Sequence, residues 1–583
     1  MAISNKLLVN FNHAKINEAF DFYQIVTIDK YINSGSYVID KPIEQLRAES
    51  VTFDGGRSLF VMFKKGMITR YELADAIEDD KLSLKQVTSN ELKDYILFRL
   101  FLFSLNNFKF DNNKFNNITG KFYITNPSWM SKNRDTFKAL NVTVDQSLSI
   151  VAEASTFTRL SLFPSKKSLS DYPKYVFSNK NNALKRVLHP EVEDEVYIRK
   201  SLFGVKAEIP FFIFSQKKIK DNKVFFIYRV LDFLREKFDG LLSFEFENIN
   251  IVKSIGRSRD AKINERIEEI VAFKNINFVN WSNSPEYDEE FDDIVNYFAE
   301  SKIAPVTKGK IIEKGVYNVV YLHHKDYYTQ HSFNDPYKNF PSNEVIQHIT
   351  IEDSADKIID DKKVIYDTIL KELLIKDDII NNNKISLDDW SAFGFINNYI
   401  FGKEKDGIHY FLNVKPDGSF ECTRKINDLT SSDNKTLDKC SDYLTDNKGK
   451  EKTVIADSNG NVIVISRTPM FTMPNEHIFN IAEISRSKES REQYLSGLVD
   501  INLYEINGKS FYSVGIQGYG MNTSIPKATH LYEVDVVEGH NFIEELMETM
   551  AVSFVKFKSF TVLPYPVKYL NEYILMCEST NQK

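Results

Sequence analysis

The sequence predicts a multidomain protein of mixed α/β and α+β class, and three observations support this. At 583 residues the chain is too long for one hydrophobic core, which predicts about three to five domains. Residues 251–385 alternate strand and helix patterns, as in a doubly wound sheet. Residues 386–583 begin with strands joined by turn residues. The chain is therefore expected to combine a parallel sheet with one built from hairpins.

The first 250 residues are predicted to form strands around a buried helix. The apolar run 95–105 contains Arg99 and is too short to span a bilayer, so it predicts a buried helix. A second, amphipathic helix is predicted over 225–238. Strands are predicted at 58–63, 121–129 and 244–247, and the alternation of apolar and polar residues predicts two more at 139–145 and 148–152.

Residues 251–385 contain two strand patterns and one strong helix pattern. The apolar run 316–322 is typical of a central parallel strand because it has no polar face. A second strand is predicted over 344–351, and a helix over 362–376. This order predicts a parallel sheet covered by helices.

The C-terminal region, 386–583, is predicted to be a sheet of hairpins closed by a helix. Turn residues between alternating strands predict hairpins at 408–424 and 453–466. A helix is predicted over 542–551. Two prolines within 561–570 fix φ and predict a shaped terminus. This arrangement is compatible with an RNase H-like fold.

The charge distribution favours nucleic acid as a partner, although the net charge of −7 argues against it. Residues 159–266 carry 22 lysines and arginines against 14 acidic residues, so the rest of the chain carries −15. A basic middle in an acidic protein is typical of a lined channel, and solvated basic faces are the alternative. The candidate channel residues are Lys217, Lys218, Lys220, Lys223, Lys253, Arg257, Arg259 and Lys262.

Cysteine usage and the amino terminus predict a cytoplasmic protein. The three cysteines have no CxxC spacing, which argues against a zinc site or a disulfide framework. The first residues lack the architecture of a signal peptide. His323, His324 and His331 are interpreted as pocket or surface residues, because no cysteine lies near them in the sequence. No membrane partner is expected.

Three features of the sequence resemble the Argonaute family. A helix pattern followed by Leu-Pro-Tyr-Pro-Val-Lys-Tyr at 563–569 resembles the end of the family's PIWI domain. The segments 335–338 and 345–350 resemble part of its MID domain, and the order of the regions is the family's order. The resemblance implies an N-like domain at 1–115, a basic linker region without a PAZ domain at 116–250, a Rossmann-like MID domain at 251–385 and an RNase H-like PIWI domain at 386–583.

The resemblance also implies a pocket for the 5′ end of a short guide nucleic acid. Tyr337 would stack on the first base, Lys338 would meet the terminal phosphate, and Gln347 would hydrogen-bond phosphate or base. Lys371 or Lys376 would complete the pocket, and the family's spacing does not decide between them. Because Tyr337 and Lys338 are adjacent here, whereas the family often separates these roles, a 5′-hydroxyl end stays open beside a 5′-phosphate.

The nuclease site is where the sequence departs most from the family. Catalytic PIWI domains hold two divalent metal ions with a set of carboxylates. Asp457 is the candidate ligand here, whereas Asp417 is more simply a turn residue. The full ligand set is not recognisable, so the sequence leaves open whether the chain is an enzyme. The resemblance implies Mg²⁺ or Mn²⁺ at the guide 5′ end or at a nuclease site.

The resemblance therefore implies guided binding of a complementary strand in prokaryotic defence against invading DNA, with a degenerate nuclease site and a separate effector protein. One alternative is an active guide-directed, metal-dependent endonuclease that uses Asp457. The other is a protein–protein scaffold without catalysis. Nothing in the sequence distinguishes DNA from RNA, because no residue reports a contact to a 2′-hydroxyl.

Overall fold

A computed structural model of the protein divides into two compact units. The first unit comprises Met1–Ile249, Pro469–Ser496 and Gly520–Ala528, and the second comprises Asn250–Thr468, Gly497–Tyr519 and Thr529–Lys583. The residues that the structure describes are 2–27, 45–55, 58–77, 82–107, 109–110, 113–118, 121–163, 172–178, 183–187, 195–201, 208–213, 220–256, 258–282, 284–301, 303–331, 333–341, 343–351, 362–426, 435–445, 452–479, 497–498, 500–515, 524–525, 527–553 and 560–581.

The strands and helices are numbered in chain order. The strands up to the middle of the chain are β1 (Ala2–Phe11), β2 (Phe20–Thr27), β3 (Ser50–Asp54), β4 (Ser58–Lys64), β5 (Leu82–Val87), β6 (Lys109–Phe110), β7 (Asn113–Ile118), β8 (Lys121–Met130), β9 (Thr136–Val144), β10 (Ile150–Arg159), β11 (Lys174–Ser178), β12 (Ala183–Val187), β13 (Val196–Ile198) and β14 (Phe212–Ile213). The later strands are β15 (Leu242–Ile255), β16 (Ile276–Asn280), β17 (Val306–Gly309), β18 (Tyr317–Leu322), β19 (Ile346–Thr350), β20 (Tyr399–Lys405), β21 (Ile408–Val414), β22 (Phe420–Ile426), β23 (Lys452–Asp457), β24 (Val462–Met473), β25 (Ile501–Ile506), β26 (Lys509–Val514), β27 (Ser524–Ile525) and β28 (Thr529–Glu538). The α-helices are α1 (His13–Ala19), α2 (Arg70–Ile77), α3 (Asp94–Phe103), α4 (Lys223–Lys237), α5 (Asp260–Val271), α6 (Asp288–Ser301), α7 (Lys325–Gln330), α8 (Lys362–Asp377), α9 (Lys435–Thr445), α10 (Ile543–Leu546) and α11 (Pro566–Asn581).

Short 3₁₀ turns and one π-helical turn complete the secondary structure of the described residues. The 3₁₀ turns are Ser89–Glu91, Ser104–Asn107, Leu160–Leu162, Pro285–Tyr287, Pro336–Asn339, Trp390–Phe393, Glu476–Phe479 and Met547–Met550. The π-helical turn, Asp378–Asn382, directly follows α8.

The first unit contains two antiparallel sheets. One has the order β3-β4-β2-β5 and the other the order β12-β11-β13-β10-β9-β8-β7-β6. On the larger sheet Phe137 and Phe157 are buried and stack with their ring centroids 5.2 Å apart. The helix α3 is buried at most positions, and Arg99 Nε donates a hydrogen bond to the Val144 carbonyl at 2.7 Å. The predicted buried helix is therefore confirmed.

The second unit contains a parallel sheet of order β17-β16-β18-β19. The central strand β18 is buried at every residue, as its apolar run predicted. Val319 and Tyr321 belong to the hydrophobic cluster that includes α5, α6 and α8. Val320 and Leu322 belong to a separate cluster on the other face. Both faces of this sheet are thus covered by apolar contacts, which is typical of a doubly wound unit.

A buried carboxamide fixes the close approach of β17 to β16. The Asn277 side chain donates hydrogen bonds at 2.9 Å to Ile311 O and to Asn318 Oδ1. A Cβ atom at Gly309 would lie 2.2 Å from Asn277 Oδ1. Glycine is needed at position 309 because no side chain fits there.

The second unit also contains an antiparallel sheet, in which the end of β15 is followed by β25, β26, β28, β24, β23, β20, β21 and β22. The predicted hairpins are the pairs β21–β22 and β23–β24. Leu437 and Leu444 of α9 cover one face of the sheet. Leu570 and Ile574 of α11 join the cluster on the other face, which continues to α8.

The carboxyl end differs from the expectation. The helix predicted over 542–551 is instead the single turn α10 followed by the 3₁₀ turn Met547–Met550. The proline-containing segment leads into a further helix, because Pro566 is the first residue of α11. Proline is favoured at this position since the first amide of a helix has no intrahelical partner.

The mixed α/β and α+β class is confirmed, whereas the four domain boundaries stay a prediction. Among the described residues, no helix is long and apolar enough to cross a membrane.

Candidate functional site

Five polar side chains from three elements of the second unit lie together. Gln347 is on β19, Glu372 and Lys376 are on α8, and Lys568 and Glu572 are on α11. Each helix contributes two residues four positions apart, which places both on one face of that helix. We name these five residues the Gln347 cluster.

Gln347 connects the strand to α8. Its Nε2 donates a hydrogen bond to the Glu372 carboxylate, and its Oε1 accepts one from Lys376 Nζ at 2.6 Å. Lys376 Nζ also donates to the Ile346 carbonyl at 2.6 Å. The carboxamide of Gln347 is therefore held at both ends by α8.

Lys568 connects α8 to α11. Its Nζ lies 3.2 Å from Glu372 Oε1 and 3.4 Å from Glu572 Oε1, and Lys376 Nζ lies 4.0 Å from Glu572 Oε2. Two ammonium groups thus face two carboxylates, so the formal charges of the five side chains cancel.

The cluster is largely buried but reaches solvent at Lys568, whose side chain is 28% exposed. Burial lowers the pKa of the Lys376 amino group, because the charged form loses its hydration. For Lys568 burial has the same effect, but Glu372 and Glu572 outweigh it and raise the pKa. Lys568 is therefore the firmly charged, solvent-accessible cation of the cluster.

Buried carboxylates hold the end of α8 against α11. Asp378 is fully buried and accepts a hydrogen bond from Tyr569 OH at 2.8 Å and from the Ser386 amide at 2.7 Å. Burial raises the pKa of Asp378 to about 6. Since Tyr569 follows Lys568 in α11, this contact fixes the position of Lys568 beside α8.

A series of stacked rings leads from the carboxyl end of β18 to the surface. His323 is buried and stacks on Tyr327 at 3.7 Å between ring centroids. Tyr327 contacts His331 at 4.3 Å, and His331 stacks on Phe333 at 5.8 Å. The Phe333 side chain is 58% exposed, so the series ends in a ring that is largely exposed to solvent.

The fold is similar to those of solved Argonaute structures. The Argonaute of Kluyveromyces polysporus, solved with a guide RNA, matches at a TM-score of 0.52 and 11% identity, over 99% of this chain and 94% of that one. The chain has an Argonaute-like fold. The Argonaute of A. aeolicus matches at a TM-score of 0.38 and 10% identity, over 98% of this chain and 97% of that one. No protein-family model and no curated protein matches the sequence.

The Argonaute-like fold brings together only part of the predicted guide-end pocket. Gln347 and Lys376 are in contact, so of the two candidate lysines it is Lys376, and not Lys371, that lies beside Gln347. Tyr337 packs with Ile346 on the other face of the parallel sheet, since neighbouring strand residues point to opposite faces. Its hydroxyl donates a hydrogen bond to the His323 carbonyl at 3.1 Å. The side chain of Lys338 lies outside the described residues.

Lys371 has a different environment. Its side chain is 5% exposed, and its Nζ lies 3.1 Å from Asp260 Oδ1 and 2.9 Å from the Ser553 carbonyl. These contacts join α8 to α5 and to the segment after α10. Lys371 is therefore a buried structural cation in the Argonaute-like chain, rather than a member of the Gln347 cluster.

Acidic partners engage several residues of the predicted basic channel. Arg259 forms an ion pair with Asp388 at 2.5 Å, and Lys253 forms one with Glu544 at 3.2 Å. Lys223 begins α4, and burial lowers the pKa of its amino group. Lys220 and Lys262 are exposed, whereas Lys217, Lys218 and Arg257 lie outside the described residues.

Asp457 ends β23 and forms a turn. Its Oδ1 accepts hydrogen bonds from the amides of Asn459 and Asn461, each at 2.9 Å, and its Oδ2 accepts one from Asn461 Nδ2 at 2.7 Å. Both oxygens are thus used within the turn itself. In the described part of the chain, no group of three or more His, Cys, Asp and Glu side chains is placed to hold a metal ion.

Neither predicted metal position has a fitting donor set among the described residues. The Asp457 oxygens face amide donors of their own turn. In the Gln347 cluster both carboxylates already accept from Lys568, and Lys376 adds a second positive charge. Divalent cations prefer oxygen ligands that are not neutralised by ammonium groups. Mg²⁺ or Mn²⁺ therefore stays a prediction from the resemblance alone.

Sequence reasoning missed Glu372, Lys568 and Glu572. A signal was present: Glu372 and Lys376 are spaced as a favourable helical ion pair, and so are Lys568 and Glu572 once Pro566 is taken as a helix start. The contact between the two helices has no local signal, because it joins positions 196 apart in the chain.

Proposed function

We propose that the protein binds a short guide nucleic acid and uses it to find a complementary strand. The observation that carries this proposal is the meeting of Gln347, Lys376 and Lys568 at one partly open site in an Argonaute-like fold. The similar Argonaute of Kluyveromyces polysporus was solved with a guide RNA. Amide and ammonium donors of this kind bind the sugar, base or phosphate oxygens of a nucleic-acid end.

The exposed ring of Phe333 supports the same proposal. An exposed aromatic side chain can stack on any base, since every base has a π-face. The rings behind Phe333 fix its orientation through the contacts of His331 and Tyr327. Base pairing between guide and target would supply sequence recognition, as in other guided systems.

We further propose that target recognition is passed to a separate effector protein in prokaryotic defence, without cleavage by this chain. This proposal is supported by Asp457, because both of its carboxylate oxygens accept hydrogen bonds from residues of its own turn. Incubation of the guide-loaded protein with a labelled complementary strand and Mg²⁺ or Mn²⁺ tests this part. Cleavage that Asp457→Asn abolishes would establish the endonuclease instead.

The first test of the guided function is whether nucleic acid copurifies with the protein. We expect a raised ratio of absorbance at 260 to 280 nm, and short nucleic acids of narrow length on sequencing. We also expect Lys568→Ala to weaken binding of a labelled oligonucleotide by roughly 10- to 100-fold, because a hydrogen bond from a charged group contributes about 1.5–3 kcal/mol.

Lys308→Ala is the matched control for that variant. Lys308 is an exposed lysine of β17 that pairs with Asp292 at 2.6 Å, so its loss changes the net charge equally. Equal affinities of Lys568→Ala and Lys308→Ala would reject the site. A protein that carries no nucleic acid and binds no added oligonucleotide would reject the function and favour the scaffold.

A further inference from the structure

We propose that the Gln347 cluster selects a guide whose 5′ end is a hydroxyl and disfavours a terminal phosphate. This inference rests on the proposed function, because it names the chemical class of the end that the same site binds. It is carried by the charges and contacts of the five side chains.

The positive charge of the cluster is already neutralised from within. Lys568 lies within 3.4 Å of both Glu372 and Glu572, and Lys376 also faces Glu572. A terminal phosphate carries about −1.5 to −2 at neutral pH. To contact Lys568 it would have to approach the two carboxylates that surround this ammonium group, and like charges at such distances repel strongly in a partly buried site.

Displacement of the carboxylates does not remove this obstacle. Glu572 is 8% exposed and Glu372 is 18% exposed, so neither side chain turns into water without a rearrangement of the packed helices. Glu372 is also hydrogen-bonded to Gln347. If it left Lys568, it would stay beside the incoming phosphate as an unpaired charge.

A hydroxyl group fits the same donors and acceptors. It can donate a hydrogen bond to a carboxylate of Glu372 or Glu572 and accept one from Lys568. It brings no charge into the cluster, so the pairing of the two lysines with the two glutamates is kept. The cluster thus distinguishes two ends of equal sequence by charge alone.

Glu372 determines the preference in this scheme. It is the carboxylate that contacts both Gln347 and Lys568. The substitution Glu372→Gln keeps a hydrogen-bonding side chain of the same size and leaves the cluster with a charge of +1. We expect the preference for the hydroxyl end to fall by at least tenfold in this variant.

The test compares two oligonucleotides of one sequence that differ only in the 5′ end, each labelled at the 3′ end, in DNA and RNA forms. Dissociation constants are measured by fluorescence anisotropy with the full-length protein freed of nucleic acid. We expect the wild type to bind the 5′-hydroxyl form at least tenfold more tightly than the 5′-phosphate form. Glu300→Gln, which removes an exposed carboxylate of α6, should keep that ratio.

The outcomes separate this inference from the function on which it rests. Tight binding of both forms with less than a tenfold preference for the hydroxyl form, or tighter binding of the phosphate form, overturns the inference and leaves guided binding intact. Failure of both forms to bind overturns the proposed function, and the inference falls with it. Because the wild type alone decides the preference, a poorly folded Glu372→Gln variant does not block the test.

Discussion

Two adjacent aspartates at the end of α8 are expected to change stability with pH in opposite directions. Asp378 is fully buried, and burial raises its pKa from 3.8 to about 6. Burial also acts to raise the pKa of Asp377, but hydrogen bonds from Asn381, Lys274 and Tyr317 outweigh it, so the pKa is lowered. The substitutions Asp378→Asn and Asp377→Asn remove one titration each and make a matched pair.

The magnitude for Asp378 follows from its shift. A carboxyl group with a raised pKa in the folded state stabilises the protein fully below pH 3.8, and this contribution is lost as the pH rises through about 6. The rise of the pKa from 3.8 to about 6, at about 1.4 kcal/mol for each tenfold change in acidity, corresponds to about 3 kcal/mol in all. About 1.4 kcal/mol of this falls between pH 5 and pH 7.5, because the unfolded group is already almost fully ionised at pH 5 and the rest of the contribution is lost below that pH.

The assay is urea unfolding of the wild type and both variants at a series of pH values from 5 to 7.5. We expect the free energy of unfolding of the wild type, relative to Asp378→Asn, to fall by about 1.4 kcal/mol across this range. Relative to Asp377→Asn it should stay level or rise with pH, because a lowered pKa stabilises the protein above the unfolded value. A wild-type advantage over Asp378→Asn that is flat or grows with pH would refute the reasoning.

Three further predictions concern contacts described above. Phe333→Ala should weaken oligonucleotide binding by roughly 5- to 150-fold, since a base–aromatic stack contributes about 1–3 kcal/mol. Phe273→Ala, which removes another exposed ring of the second unit, should not, and equal effects in an anisotropy titration would reject the stacking face. Lys371→Met should lower the free energy of unfolding by about 3 kcal/mol, because it leaves a carboxylate without its buried partner; the exposed Lys262→Met should change it by less than about 0.5 kcal/mol. Gly309→Ala should lower the midpoint of thermal unfolding, because its Cβ would overlap the buried carboxamide of β16; an unchanged midpoint would show that β17 can shift.

Elements with local signals could be predicted from the sequence. The pair β21–β22 follows from a Pro-Asp-Gly turn between alternating strands, and both signals lie within 20 residues or so. The strand β18 follows from an apolar run that only a two-sided core can bury. The helix α8 was predicted to within one residue of its observed end.

The site could be predicted only in part, because its contacts join distant segments. Gln347 and Lys376 were both named from the resemblance, and they lie in contact. Tyr337 packs on the face of the sheet that carries Ile346, whereas Gln347 points to the opposite face. The resemblance did not fix which side chains of β19 point to each face. The two prolines near residue 565 predict a fixed φ but not that Pro566 begins a helix, since the rule that proline starts a helix competes with the rule that it stops one.

The prediction of a basic channel from the charge of residues 159–266 has a related weakness, because the partners of those residues lie elsewhere in the chain. An excess of basic residues over 159–266 predicts a positive surface only if their partners are water or nucleic acid. Arg259 instead pairs with Asp388, 129 positions away, and stacks over the ring of Phe393 at 4.2 Å. A sum over a segment does not include acidic residues that the fold brings in from elsewhere.

Stability alone does not account for the Gln347 cluster. Buried ion pairs lose hydration on folding, and replacing them with apolar residues of similar volume is often neutral or stabilising by about 1–4 kcal/mol. Contacts such as Asp378 to Tyr569 already hold α8 against α11, so four charges and a carboxamide are not needed for that junction. The cluster is exposed to solvent mainly at Lys568, whose side chain has the largest exposed fraction of its four charged side chains. A ligand that reaches Lys568 meets groups that can both donate and accept hydrogen bonds. The binding role that we propose accounts for this arrangement, and the neutral charge balance is the basis of our inference that the bound end is uncharged.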